Sequence, residues 1–325
     1  MKTIAVINLG YIGDVINASP VCIALKTTYP DAKLIFITVP SSIETAKCLP
    51  YVDETIAFDR YNEHKGLKIF NLGLKIRKQY NIDEVIILTE NFRSALLAFL
   101  TGAKKRIGRS NEGRDFLLTH RIPFTEEEKT ENVHISDFYI RLTKPLLKDI
   151  PDINNFLNYS NEDKLYIKKL LNEHNYQGED LIGFNPFSAR EFKDWSQEEA
   201  KKFIQFINNN TDKKVAIIGT EKANKFCENL IQEGFNDFYN LTNKTTIPQL
   251  IALTSMFKTF VSVDSAPMHI ALAFNIPTIA LFFQKNYTKW GPNNFEKHKL
   301  MYNTAGIKAE EVIKQMNLCY TERLK

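Results

Sequence analysis

Four short segments of this 325-residue chain carry side chains able to do chemistry, and each follows an apolar run of strand length. The first, Asn8-Leu9-Gly10-Tyr11-Ile12-Gly13-Asp14, leaves Thr3–Asn8 and enters a helical pattern. That is the position of a glycine-rich phosphate loop, yet neither GxGxxG nor GxxxxGK[ST] is present. Gly10 and Gly13 let the backbone turn tightly and lie close to another group. Asp14 falls in the first helical turn, where the partial positive charge favours an ionised carboxylate. Two readings fit it: a helix cap, or a general base exposed at a ligand cleft.

The second segment, Asn185 to Trp195, joins a strand to a capped helix. Its Ser188 hydroxyl and Lys193 ammonium suit a phosphate. A solvated loop in which Trp195 packs and Lys193 snorkels fits equally well. The third, Ile218-Gly219-Thr220-Glu221, again follows a strand. Glu221 can accept hydrogen bonds from the two hydroxyls of a ribose, although an exposed glutamate opening a helix is commonplace. The fourth, Val261 to Ala271, is the strongest. A strand ends at Asp264, and Pro267 suits the first turn of the next helix. Free backbone N–H groups are expected at Asp264, Ser265 and Ala266, where a pyrophosphate would bind. His269 lies one turn on; such a histidine is more often structural, a prior that the Asp-Ser-Ala start weakens. Trp290-Gly291-Pro292 downstream reads as a rigid loop that closes the domain.

Missing motifs narrow the chemistry. The chain contains no Asp-x-Asp, no HExxH, no Cys/His cluster and no GxSxG elbow. A departing diphosphate would therefore be met by Lys193 and backbone donors rather than by a bound metal, and no cofactor is expected. A nicotinamide dehydrogenase is disfavoured by the missing GxGxxG.

The elements that must position these residues alternate β and α. Strands are expected at Thr3–Asn8, Lys33–Val39, Asp53–Phe58 and Glu84–Thr89, with helices at Val15–Thr28, Leu67–Gln79 and Phe92–Thr101. A helix over His134–Leu147 closes this half. Pro145, Pro151 and the polar run Asp152–Asn161 mark a linker. Strands Leu181–Asn185, Val215–Ile218, Thr259–Val263 and Thr278–Phe282 then alternate with helices Gln197–Asn208, Ala223–Gln232 and Pro267–Ala273, and a last helix runs near Glu310–Met316. Ser196 and Glu199 form a capping-box pattern. The order implies α/β architecture: two doubly wound parallel sheets facing a cleft between their C-terminal strand ends. The domains are 1–155 and 156–325, with the last helix able to pack back on the first.

Composition agrees. Hydrophobic residues make up 44% of the chain, enough for two cores, and the net charge of +4 is too mild for a nucleic-acid binder. It is compatible with an anionic small substrate or light contact with an anionic membrane surface. Cys22, Cys48, Cys227 and Cys319 are widely separated and read as reduced thiols. The N-terminal apolar run is too short for a signal peptide, and no stretch approaches the ~20 apolar residues of a membrane span. A cytoplasmic protein is expected, peripheral at the inner membrane at most.

Taken together, the segments resemble glycosyltransferase family 9, whose best-known members are the ADP-heptose:lipopolysaccharide heptosyltransferases. Leu9-Gly10-Tyr11-Ile12-Gly13-Asp14-Val15, Ser19-Pro20 and Ala24-Leu25-Lys26 resemble the family's opening. Arg93-Ser94-Ala95 and Lys105-Arg106-Ile107-Gly108 resemble the middle of its first domain. Lys193-Asp194-Trp195 and Asp264-Ser265-Ala266-Pro267-Met268-His269-Ile270-Ala271 resemble its donor-site motifs. The resemblance implies a GT-B fold of two Rossmann-like domains, with the acceptor on the first and the donor on the second. It also implies inversion at the anomeric carbon by a single displacement without metal. Asp14 matches the family's base. Lys193, Ser188 and the backbone of Asp264–Ala266 match positions that hold the diphosphate, and Gly13 is grouped with the donor contacts. Glu221 matches the ribose contact, Thr245 borders the base, and His269 has a supporting role. Ala266 stands where many members have Gly, and Ser188-Ala189 replaces a hydroxyl pair. Arg60, Lys65, Lys104 and Lys105 either meet acceptor phosphates or form a solvated surface.

The function implied is transfer of a heptose or related sugar from an ADP-heptose-type donor to a lipopolysaccharide core or other cell-envelope saccharide. The partners are that nucleotide-diphosphate sugar and an acceptor read as lipid-linked, with no nucleic acid. A nucleotide-sugar epimerase of similar fold, which needs no acceptor, and a non-catalytic nucleotide-sugar-binding protein are the alternatives.

Overall fold

The computed structural model describes residues 1–111, 113–147 and 154–321, those from 317 on by backbone alone. The chain divides into two compact units, Met1–Asn158 and Tyr159–Lys325. Each is built on a six-stranded sheet. In the first, β1 (Thr3–Asn8), β2 (Lys33–Thr38), β3 (Glu54–Ala57), β4 (Glu84–Ile87), β5 (Lys105–Arg109) and β6 (His120–Ile122) stand in the order β3-β2-β1-β4-β5-β6. In the second, β7 (Leu181–Asn185), β8 (Lys214–Ile217), β9 (Tyr239–Asn240), β10 (Thr259–Val263), β11 (Thr278–Phe282) and β12 (Lys299–Tyr302) stand in the order β9-β8-β7-β10-β11-β12. All ladders are parallel. Each unit is thus doubly wound in the Rossmann manner, with its strand order reversing at β1/β4 or at β7/β10.

The core explains why the central strands read as unbroken apolar runs. In the second sheet Ile182, Phe184, Val261 and Val263 enter one buried cluster, while Leu181, Ala216 and Phe260 enter another. Side chains alternate across a strand, so helices on both faces require both sets to be apolar. The first sheet's Ile7, Ile35, Val85 and Ile87 are covered by Leu72 and Ile76 of helix Ile69–Tyr80 and by helix Phe92–Leu100. Helix Ala309–Thr321 sends Val312, Ile313 and Met316 into the second unit's own core.

Several expectations are corrected. The helix expected over Val15–Thr28 is two, Ile12–Ile16 and Ser19–Thr28. Pro20 lacks an N–H and must lie in a first turn, and the Asn17 side chain takes the Gly13 carbonyl at 2.8 Å. The helix expected over His134–Leu147 stops at Ile140 and ends in a 3-10 turn, Arg141–Thr143. Pro151, Asp152 and Ile153 lie outside the described residues; the unit boundary at Asn158/Tyr159 falls within the expected linker, several of whose described residues are hydrogen-bonded. Asn155 bonds Asn17 at 2.9 Å, Phe156 N–H donates to Ser19 at 3.0 Å, and Asn158 N–H donates to the Cys48 carbonyl at 2.7 Å. Ser160 then caps a further helix, Asn161–Glu173.

A buried cation holds the far side of the first sheet. Arg109, the last residue of β5, and Glu128 form an ion pair with both side chains fully buried. The guanidinium also donates to the Phe138 carbonyl at 2.9 Å and lies over the Phe138 ring, 4.3 Å from its centroid. Arg141 approaches the same Glu128 carboxylate at 3.1 Å. Removing one partner of a buried pair leaves an uncompensated charge, which costs about 3–5 kcal/mol. Glu128→Ala is therefore expected to lose about that much stability in urea unfolding, and a change near zero would show that the pair is not holding the unit.

Candidate functional site

In a doubly wound sheet a crevice opens beyond the carboxyl ends of the strands where the order reverses. Asp14 lies beyond β1 in the first unit and Lys193, Asp264, Ser265 and Ala266 lie beyond β7 and β10 in the second, whereas Glu221 and Thr245 follow β8 and β9. In the first unit, Asn8 ends β1 and clasps the loop after it. Its amide donates to the Asp14 carbonyl at 3.1 Å, and its Oδ1 accepts the Gly10 N–H at 3.0 Å. Gly10 is required by close approach: a Cβ there would sit 2.5 Å from the Asp14 Cβ. Gly13 belongs to this loop too, its carbonyl taken by Asn17, and so it lies in the first unit.

Asp14 is the third residue of helix Ile12–Ile16. Its carboxylate accepts the Tyr11 N–H at 3.0 Å and the Tyr139 hydroxyl at 3.1 Å. Asp14 thus acts in the cap of its helix, and its half-buried carboxylate is oriented by a second donor. Burial, reinforced by the Asp14 charge, holds the Tyr139 phenol well above its ordinary pKa, leaving it a neutral donor. Tyr139 was missed from sequence, because a tyrosine 125 residues away carries no local signal.

In the second unit Asn185 ends β7 and reaches across to β10, donating to Ser262 at 3.0 Å and to Ser265 at 2.7 Å. The loop after β7 is anchored by Trp195, whose indole donates to the Ile307 carbonyl at 2.7 Å and whose N–H closes on the Pro186 carbonyl at 2.9 Å. This anchor presents Lys193, which forms an ion pair at 2.5 Å with Asp264. Asn286, on the loop after β11, donates to the same Asp264 oxygen at 3.1 Å. Lys193, Asp264 and Asn286 therefore gather at one point, and Asn286 was another residue the sequence did not reveal.

The helix start after β10 differs from expectation in one respect. The Asp264 N–H is not free, since it donates to the Leu281 carbonyl at 3.2 Å. The reason is that β10 and β11 remain in register to that residue. Ser265 gives the helix Ala266–Ala273 no side-chain cap, because its hydroxyl is engaged by Asn185 and the Val263 carbonyl. The N–H groups of Ser265 and Ala266 meet no acceptor among the described residues. His269 is buried, edge-on to Trp290 with ring centroids 6.2 Å apart.

Ser188 is turned toward its own loop. Its hydroxyl donates to the Arg190 carbonyl at 2.8 Å, and its N–H donates to Asp194 at 2.7 Å. Glu221 is exposed at the start of helix Glu221–Gln232 and accepts from the Asn243 amide at 3.1 Å. Thr245 follows two residues later, half-buried, so the loops after β8 and β9 come together. A cavity of about 640 Å³ opens beside the β7 loop, lined among others by Phe187, Asp194, Lys222 and Phe283. It shares the loop with Lys193 but is not lined by Lys193 or Asp264.

Elsewhere the thiols of Cys22, Cys48 and Cys227 are free and buried, and burial pushes Cys22 and Cys227 up to about 12. Cys319 lies outside the described side chains. Among the described residues no three His, Cys, Asp or Glu side chains gather as a metal-ligand set, and no helix is long and apolar enough to cross a membrane.

Two doubly wound parallel sheets, one followed by an oriented carboxylate and the other by a lysine beside an uncapped helix start, make an α/β architecture of the GT-B class. The chain belongs to glycosyltransferase family 9 (heptosyltransferase), whose model matches residues 69–320. It is 25% identical over 284 residues to lipopolysaccharide heptosyltransferase 3 of Escherichia coli, covering 86% of this chain and 83% of that one. The structure of a family 9 glycosyl transferase from Veillonella parvula superposes with a TM-score of 0.86 at 21% identity, covering 99% of this chain and 97% of that one. That of E. coli ADP-heptose lps heptosyltransferase II superposes with a TM-score of 0.81 at 22% identity over the whole of both chains.

Burial pushes His269 and His298 down to about 4, with the nearby Lys193 adding to the effect at His269 and Lys297 at His298. Both are neutral in the folded protein, whereas the unfolded chain takes up these protons near its ordinary histidine pKa of about 6.5. Their contribution is fully present above that pH and is lost as pH falls toward about 4. The Tm of the protein should therefore decline from about pH 6.5 downward, and His269→Gln with His298→Gln should flatten the upper part of that decline. An unaltered slope in the double variant would reject the assignment.

Proposed function

We propose that the chain is an inverting, metal-independent transferase that moves a heptose or related sugar from an ADP-heptose-type donor to a lipopolysaccharide core saccharide. The donor and acceptor classes are suggested by the names of its relatives. The observation that carries the mechanism is a polar cluster beyond the strand ends of each unit. One offers a carboxylate oriented by the Tyr11 N–H and Tyr139, and the other offers Lys193 beside open N–H groups.

In this reading the acceptor binds the first unit and the donor the second. Asp14 takes the proton of the acceptor hydroxyl as that oxygen attacks the anomeric carbon. The bond from that carbon to the diphosphate oxygen breaks, and configuration inverts. The charge released onto the diphosphate is met by Lys193, shared with Asp264, and by the N–H groups of Ser265 and Ala266, donors aimed where charge develops. Glu221 receives the ribose hydroxyls and Thr245 borders the base. Ser188 can join only by turning its hydroxyl away from Arg190. His269, buried and neutral, supports the site by packing rather than by charge. The acceptor is lipid-linked, so the protein works at the inner face of a membrane in peripheral contact with it.

Carboxylate base catalysis contributes about 10²–10⁴-fold. Asp14→Asn should lose turnover by about that factor, with nucleotide-sugar affinity nearly unchanged in a thermal-shift titration. Near-normal turnover would remove Asp14 from the mechanism. Lys193→Ala should cost a few kcal/mol of transition-state stabilisation, by analogy with the roughly 3 kcal/mol of a lost oxyanion donor. EDTA should leave the wild-type rate unchanged, and strict metal dependence would overturn the proposed charge balance.

A further inference from the structure

Helix Ile69–Tyr80 buries Ile69, Leu72, Gly73 and Ile76 against the first sheet. A helix of this kind normally turns charge and polarity outward. Here Leu74 lies on the outward side, 57% exposed, and Leu67 in the preceding 3-10 turn Gly66–Lys68 is 82% exposed. Phe70 adds a third apolar side chain at 41%. Helix Phe92–Leu100 packs alongside, where the missing Cβ of Gly73 admits Leu100, and it carries two further exposed apolar side chains, Phe92 at 47% beside Phe116 and Phe99 at 49% under Arg106.

Charge frames this surface. Lys65, Lys68, Lys75, Arg77 and Lys78 are all exposed, and no Asp or Glu occurs between Glu63 and Asp83. Exposed leucine and phenylalanine on the outward side of a helix, rimmed by cations on flexible stems, is the chemistry of a bilayer interface. The apolar groups enter the acyl boundary while the lysines reach anionic headgroups. A protein partner for the same face would have to supply acidic residues around an apolar groove, whereas a bilayer supplies anionic headgroups around an apolar interior over its whole area.

We propose that the outward face of Leu67, Phe70 and Leu74, with its rim of Lys68, Lys75 and Lys78, docks the first unit on an anionic lipid surface. This deepens the peripheral contact invoked above. The vesicle-partitioning measurement needs neither donor nor acceptor, so its failure leaves the transfer reading standing.

The full-length protein is floated with vesicles of phosphatidylglycerol and phosphatidylethanolamine, and separately with phosphatidylcholine alone. It should partition to the anionic vesicles and much less to the neutral ones, and NaCl at about 0.5 M should weaken that binding. Leu67→Glu with Leu74→Glu should lower partitioning at least about tenfold, and each of Lys75→Gln and Lys78→Gln about fivefold. Because these side chains are exposed, circular dichroism, Tm and turnover of a soluble acceptor should stay at wild-type values. Absence of wild-type binding to anionic vesicles, or unchanged binding by the leucine double variant, would overturn the proposal. So would self-association of the wild type that the double variant abolishes, since the face would then join two copies.

Discussion

Two neighbouring parallel strands whose crossover connections leave to opposite sides cannot close the gap beyond their own carboxyl ends. That constraint operates in each unit, between β1 and β4 and between β7 and β10. The polar residues at these ends are therefore drawn into side-chain bonds that span the gap. Asn8 and Asn185 are equivalent in this respect. Each ends the first strand of its sheet, is buried, and spends its amide on holding the neighbouring loop or strand end. Those clasps add to the bonds that hold Asp14 and the Ser265 helix start.

The electrostatics of the two units differ in a way that suits opposite tasks. Asp14 accepts hydrogen bonds from two neutral donors, the Tyr11 N–H and the Tyr139 hydroxyl. Around Asp264 the negative charge is already matched by Lys193 and the Asn286 amide. A bound anion there would meet a lysine, two open N–H groups and a neutralised carboxylate rather than a bare one. His269 contributes no positive charge, since its burial favours the neutral ring.

Much of the fold was legible. β1, β7, β10 and β11 match their predicted bounds, and the alternation of strand and helix in both halves follows from it. Among the elements that escaped, three strands lack an apolar run, whereas β12 (Lys-Leu-Met-Tyr) and helix Ile247–Thr254 have one. β5 is Lys-Arg-Ile-Gly-Arg, β6 is three residues and β9 two, and their pairing is decided by the neighbouring strand rather than by their own pattern. Helix Ile247–Thr254 opens on a Thr246/Gln249 capping box that lies inside a polar stretch. The linker stands where expected, at the Asn158/Tyr159 boundary, but its polar run is not solvated throughout, since Asn155 and Ser160 bond to their surroundings.

The sequence by itself determined the residue types at the strand ends and hence which groups were available: one carboxylate after β1, one lysine after β7, and one Asp-Ser-Ala helix start after β10. Local periodicity and turn chemistry are encoded within a few residues, so they can be read along the chain. Only the tertiary structure decided that Tyr139 meets Asp14, that Lys193 is held by Asp264 and Asn286, and that the Asp264 N–H is consumed by β11. Those contacts join residues far apart in sequence. Their free energy depends on burial and geometry, which no local pattern records.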